Sequence, residues 1–555
     1  MVNVFTVLLI FAVFSRLALA NTNFAQCLIS LRSGIYGSDG ARYSNGTSVA
    51  LEDLGNATAI TYSRCVEICG GHGPEAFSWR TFSLQFTSWF LPWLALMSQL
   101  PYGAKDTLSN FLALVLTVGS PILAAYSLAL AVISNRWMVK RFARSTLPHA
   151  SLAAQALRNL QQVSVHVPQE QNILPSLVVL KENFNWWQTL SHGLDYSVPK
   201  WTLAAIMSML YVLLADAFSW ISTLGSDLTN SQANTTGESV GSLWLCLLPI
   251  VVGYLQLSPK SDSDRIKRAF DNANRIYFLA VDSEEPIQGH GSLAFNIEKV
   301  SRDIVHEDEM CSAPVFFYAR VFKWIQLARQ VTDSFDAASQ RSHQRLPTES
   351  PPRTRSEVIA ECTLRDGSKD GHSYEIFSIF ARSACLALFL QWGTASAAIM
   401  SMYLTPARGF GCRSGSYLFY GLLATIIWLF SLISSILVQS YMTAQQHSRT
   451  TTLAYVFSII FRHLAKALAA INTLWLFTSS LLQFSNLFDT CYCNASVLGR
   501  GSHSAYTVLA YTPADASAVK LAWAGGMILS SAVAISFILI INMLRKRAEI
   551  TMPFS

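Results

Sequence analysis

Residues 417–441 read YLFYGLLATIIWLFSLISSILVQSY, twenty-five positions without one Asp, Glu, Lys or Arg. Coiled into a helix at about 1.5 Å per residue, such a stretch is longer than the ~30 Å hydrocarbon core of a bilayer. Six more stretches read the same way, at 111–133, 201–223, 240–257, 383–404, 467–485 and 521–544. The fold class that follows is an all-α integral membrane protein, a bundle of about seven transmembrane helices with small lumenal and cytosolic segments. Asp216 is the only Asp, Glu, Lys or Arg inside these seven stretches.

Composition agrees. The chain of 555 residues is 51% hydrophobic, has a mean hydropathy of +0.33 and is 13% charged, where soluble proteins carry about 25% charge. That excludes an ordinary soluble protein, and the apolar content excludes a disordered one. Forty Lys and Arg against 34 Asp and Glu leave a net charge of +6, too balanced to point to nucleic acid as a partner. The partner the sequence does name is the lipid bilayer.

Orientation comes from the flanks. Arg136, Lys140, Arg141 and Arg144 follow the 111–133 stretch, and Arg545-Lys546-Arg547 follow the last one; clusters of this kind stay in the cytosol. Residues 4–20 form an apolar run ending Ala18-Leu19-Ala20, which predicts a secretory signal peptide over 1–20. Segment 21–79 is then lumenal or extracellular, and only one crossing fits between residues 80 and 134. The stretch 82–100, aromatic on one side (Phe82, Phe86, Trp89, Phe90, Trp93), polar elsewhere and interrupted by Pro92, therefore reads as interfacial or re-entrant on the lumenal face. It is the eighth span if it crosses.

Counting onward through the membrane domain, 80–544, makes 134–200, 258–382, 442–466 and the tail 545–555 cytosolic. The glycosylation sequons at Asn45, Asn56, Asn234 and Asn494 all fall on the lumenal side. So do Cys27, Cys65, Cys69, Cys412, Cys491 and Cys493, an even set of candidate disulfide cysteines with fifteen pairings open. Their spacing fits no standard zinc finger, so no metal is assigned.

In the 258–382 loop a helix is predicted from a cap at Ser261 or Ser263 to about Tyr277. A second is predicted over 313–332, with Arg320, Lys323 and Arg329 between its apolar positions, lying on the membrane surface or packed within the loop. Residues 337–356, rich in Ser, Pro, Arg and Gln, read as a flexible linker and a phosphorylation region. Trp186-Trp187 reads as packing for a juxtamembrane helix, and these cytosolic segments are the places for protein partners.

Motifs for catalysis are not found: there is no phosphate-binding glycine loop, nucleophile elbow or zinc-protease signature. Hence no enzyme, no catalytic residue and no cofactor is assigned. The run His306-Glu307-Asp308-Glu309-Met310-Cys311 mixes ligand types, but consecutive residues seldom converge on one ion, and it reads as an exposed acidic loop. Asp216 is the intramembrane candidate, because an acid in lipid normally faces the bundle interior or a water-filled path; a transporter or channel would use it. A heptahelical receptor shares the layout, yet its coupling motifs are missing: the third stretch ends Gly253-Tyr254-Leu255 and the seventh Ile541-Asn542-Met543. The sequence leaves oligomeric state open.

One stretch is more distinctive. Cys65-x3-Cys69, Gly73-Pro74, Phe77-x-Trp79, Phe82-Ser83-x-Gln85-Phe86 and Trp89-x-Leu91-Pro92-Trp93-Leu94-Ala95-Leu96, followed by Ser98-Gln99-Leu100-Pro101 and Gly103, resemble a group of uncharacterised multi-pass membrane proteins of filamentous fungi. The similarity covers residues 65 to about 144, with echoes at Trp186-Trp187 and in 258–277. It implies a fungal source, a membrane location and an accessory role beside secondary metabolism, and carries over no catalytic or binding residue. The function expected is a non-enzymatic accessory or scaffold protein of the secretory pathway or cell surface, most of all the plasma membrane.

Overall fold

A computed structural model describes residues 22–100, 102, 107–163, 165–166, 173–196, 201–225, 243–282, 285–289, 296–297, 306–345, 352–363, 372–443 and 449–551. The signal-peptide stretch and Asn234 lie outside them. Among the described residues six helices are long and apolar enough to cross a membrane. They are α1 (Pro121–Phe142), α2 (Leu203–Gly225), α3 (His372–Leu404), α4 (Cys412–Thr443), α5 (Arg449–Phe484) and α6 (Pro513–Thr551). The all-α reading and the apolar spans hold, with six such helices among the described residues where the sequence predicts about seven.

Two expected spans differ. The 240–257 stretch yields a short helix, Trp244–Leu257. The 111–133 stretch is split by Ser120, whose φ of −148° ends one helix, Thr107–Gly119, before Pro121 opens α1. Proline lacks an N–H and suits a first helical position. The carbonyls exposed by the break find partners on other helices: Tyr420 Oη donates to Val118 O at 2.7 Å, Asn472 Nδ2 to Gly119 O at 2.7 Å, and Ser120 Oγ donates to Ala424 O at 2.8 Å. Gly119 sits against the Ala469 backbone, where a Cβ would collide. The sequence thus breaks one helix at the place where α4 and α5 cross it.

The 82–100 stretch stays helical through Pro92. Trp79–Gln85 and Leu91–Ser98 are joined by a π-helical turn, Phe86–Phe90, a widening that accommodates a proline ring and its missing donor. Trp89 and Trp93 are buried, with Trp93 edge-on to Phe477 at 4.6 Å and Trp89 edge-on to Phe484 at 5.9 Å. The aromatic side read as suited to headgroups therefore packs on α5.

One end of the bundle carries a cap built from the N-terminal segment and the α5–α6 connection. Asn23 caps helix Phe24–Arg32 by accepting from Gln26 N at 3.0 Å. Strands Ala41–Arg42, Ala59–Thr61 and Tyr506–Val508 form one antiparallel sheet in that order. The six candidate cysteines pair as Cys27–Cys69, Cys65–Cys491 and Cys412–Cys493.

At the opposite end, helices Ala150–Asn159, Ile173–Val179, Phe184–Leu194, Ser263–Ala273, Phe317–Gln344 and Arg355–Cys362 pack around the end of α1. Phe335 is edge-on to Phe142 and to Trp187, and Trp186 and Trp187 are fully buried. Arg141 pairs with Asp333 at 2.8 Å and Asp336 at 3.4 Å. Three expectations shift here. Asp262, not Ser261 or Ser263, caps its helix, accepting from Asp264 N and Arg265 N, since a carboxylate meets the free amides and the positive helix end together. That helix stops at Ala273. The 313–332 helix runs on to Gln344, packed within the layer, and so takes over the start of the expected linker 337–356; Thr354 and Glu357 box the next helix at the linker's end.

Candidate functional site

The run read as an exposed acidic loop keeps Glu307 exposed but carries, in Asp308 and Glu309, two of the most buried charges among the described residues. Residues Glu307–Glu309 make a single 3-10 turn wedged between α4, α5 and helix Phe317–Gln344, with Asp308 3% and Glu309 1% exposed. Arg462 and Lys466 stand four residues apart on α5, which puts them on one face. Lys466 Nζ reaches Asp308 Oδ1 at 2.6 Å and Arg462 Nη1 reaches Asp308 Oδ2 at 3.4 Å. Arg462 also donates to Ser434 Oγ at 3.1 Å and Ser435 Oγ at 3.0 Å on α4, and lies over the Tyr318 ring at 4.9 Å. Glu309 takes Lys323 at 3.0 Å.

A buried ion costs several kcal/mol unless its partners replace water, and here two cations and a phenol surround one carboxylate. His306, beside Ser434 Oγ at 3.5 Å, stays neutral: burial, then the charges of Arg462 and Lys466, push it down to about 4. The cluster ties three sequence-distant pieces together. It offers no general base paired to a nucleophile, and its chemistry is that of a clamp.

Asp216 lies elsewhere. It is half-buried on α2 and accepts a hydrogen bond from Trp220, one turn on along its own helix. Trp220 in turn packs against the Val519, Trp523 and Met527 cluster of α6. Asp216 is thus not brought into the cluster.

In the cap, Asn45 and Asn56 are exposed. Asn45 accepts from Thr47 N at 3.0 Å, and Asn56 donates to Asp53 at 2.9 Å. Asn494 is tied in further: it accepts from Arg413 Nη1 at 3.0 Å and donates to Asp489 Oδ1 at 3.3 Å, while Arg413 and Asp489 pair at 2.9 Å. Burial, helped by the charge of Asp489, raises Glu75 to about 7. Cys65, Cys69 and Cys491 have sulfurs within 4.8 Å of one another, but each is already in a disulfide.

Sequence reasoning missed Asp308, Glu309, Arg462 and Lys466. The available signal was a pair of cations at helical spacing just before an apolar stretch, in a segment, 442–466, without an acid. Compared with known protein families, characterised proteins and solved structures, the chain matches none.

Proposed function

We propose that this chain is a non-enzymatic scaffold of the secretory-pathway or cell-surface membrane, holding a disulfide-bonded module on one side and presenting a helical layer to protein partners on the other. One observation carries the reading: α4 is fastened twice along its length, by Cys412–Cys493 at its first residue and by Ser434 and Ser435 on Arg462 toward its other end. A transport cycle needs ends that open in turn, whereas fasteners of this kind favour one shape. An accessory role in fungal secondary metabolism is the setting the sequence resemblance suggests.

The test compares wild type with Asp216→Asn. Cross-linking in membranes, read by mass spectrometry, is expected to join Phe317–Gln344 to other proteins equally in both. If the purified chain alone moves protons or solutes across reconstituted vesicles and Asp216→Asn stops it, the scaffold reading falls and the transporter reading replaces it.

A further inference from the structure

Three of the four sequons lie among the described residues, and they differ in what surrounds the side-chain nitrogen Nδ2, the atom to which an N-linked glycan is joined. Asn45 is exposed in a tight turn closed by Tyr43 N on Thr47 O at 2.9 Å. Its Oδ1 accepts from Thr47 N at 3.0 Å and from Thr47 Oγ1 at 2.7 Å, while Nδ2 has no partner among the described residues. Asn56 is exposed as well. Its Nδ2 gives one hydrogen to the exposed Asp53 at 2.9 Å, and an amide nitrogen has a second one to exchange for a sugar.

Asn494 is placed differently. It ends the one-turn helix Cys491–Asn494, and both ends of its amide are engaged by buried charge. Oδ1 accepts from Arg413 Nη1 at 3.0 Å and Nδ2 donates to Asp489 Oδ1 at 3.3 Å, with Arg413 and Asp489 each 5% exposed and paired at 2.9 Å. Before it, Cys493 is tied to Cys412; after it, Ser496, the hydroxyl residue of the sequon, is buried and donates to Ala407 O at 2.8 Å. The free space there is a cavity of about 30 Å³ lined by Asn494, Arg413, Gly409, Gly411 and Ser496 among others, room for a water or two and not for a sugar ring.

Oligosaccharide is transferred to the chain before it folds, so burial does not shield Asn494 from the enzyme. It decides afterwards which chains can fold: a sugar on Nδ2 has to push aside Asp489 or Arg413, and a buried charge moved off its partners is costly. Asn45 and Asn56 impose no such cost. We propose that N-linked glycans sit on Asn45 and Asn56 of the folded protein and that Asn494 stays unmodified, its amide completing the Arg413–Asp489 pair. This selection rests on the secretory placement proposed above, which brings the cap to the transferase.

The experiment maps occupancy on the full chain, made in a eukaryotic host and purified in detergent as a monodisperse, folded fraction. Releasing the glycans with an amidase in heavy-oxygen water turns each occupied Asn into a labelled Asp, read by peptide mass spectrometry. Label is expected at 45 and 56 and not at 494. Asn45→Gln and Asn56→Gln are each expected to remove one glycan's mobility shift and leave Tm unchanged. Asn494→Gln is expected to remove no shift and to lower Tm by about 2 °C, as the loss of buried hydrogen bonds does. Label at 494 in the folded fraction overturns the proposal, and so do bare Asn45 and Asn56 in a chain whose cap disulfides are formed. An unchanged Tm in Asn494→Gln removes the structural role of its amide; should that variant fail to fold, the wild-type map decides. If all three sites are bare and the six cap cysteines react with a maleimide without reduction, the secretory placement itself has failed and takes the selection with it. The state of the cysteines thus separates that outcome from failure of the selection alone.

Discussion

The two ends of this helical bundle are held by different chemistry. At the capped end three disulfides do the fastening, and Cys65–Cys491 closes a separation of 426 residues. At the other end the fasteners are ion pairs, Asp308 with Arg462 and Lys466, Glu309 with Lys323, and Arg141 with Asp333. A disulfide constrains the unfolded chain and needs an oxidising compartment. A buried ion pair needs no oxidant, but it depends on every partner being present and in the right protonation state. In the membrane placement proposed above, each end would use the cross-link its surroundings permit.

The comparison breaks most sharply at Asp308. Asp308→Ala leaves Arg462 and Lys466 without their shared carboxylate, and a loss of about 3–5 kcal/mol is expected. Thermal unfolding in detergent measures it, with hydrogen exchange rising across 306–325 while the cap stays protected. Removing Cys65–Cys491 with the pair Cys65→Ser/Cys491→Ser is expected to cost about 2–4 kcal/mol, now with exchange rising over 22–78 and the 306–345 region unchanged. If either variant loosens both ends equally, the ends are not independent units.

Acidification separates them by sign. Glu75 is raised from 4.5 to about 7, so the folded cap binds a proton more readily than the unfolded chain. Its favourable contribution is full below about 4.5 and is lost as pH rises through 7. His306 is lowered from 6.5 to about 4, so its contribution is full above 6.5 and is lost as pH falls through 4. Moving from pH 7 to pH 5 should therefore slow exchange in the cap and speed it around 306–310. Glu75→Gln should flatten the first trend and leave the second. The smallest effect is expected at Asp216: its partner Trp220 is on the same helix and its side chain is only half-buried, so Asp216→Asn should change stability by less than about 1 kcal/mol, read as unchanged abundance and Tm.

Much of the bundle was legible because lipid-compatible helices announce themselves locally. α4 and α6 could be read from their own residues, and the six cysteines could be grouped by counting crossings. Local reading failed where a helix end or a loop takes its meaning from something distant. Pro92 was read as an interruption, yet a π-turn carries the helix past it. A stretch defined by the absence of charge begins at 467, directly after Lys466, and so leaves Arg462 and Lys466 outside although α5 runs on through both.

The sequence by itself determined that the chain is helical, membrane-compatible and equipped with six cysteines for one face, since hydrophobic length and residue type are local properties. Only the tertiary structure decided which cysteines pair, why one helix breaks at Ser120, and that Asp308 is buried. Each of those depends on residues separated by 42 to 426 positions, Cys27 and Cys69 being the nearest such pair and Cys65 and Cys491 the farthest. The physical reason is that a charge or a thiol carries no mark of its partner: Asp308 looks solvated until α5 brings Arg462 and Lys466 to meet it.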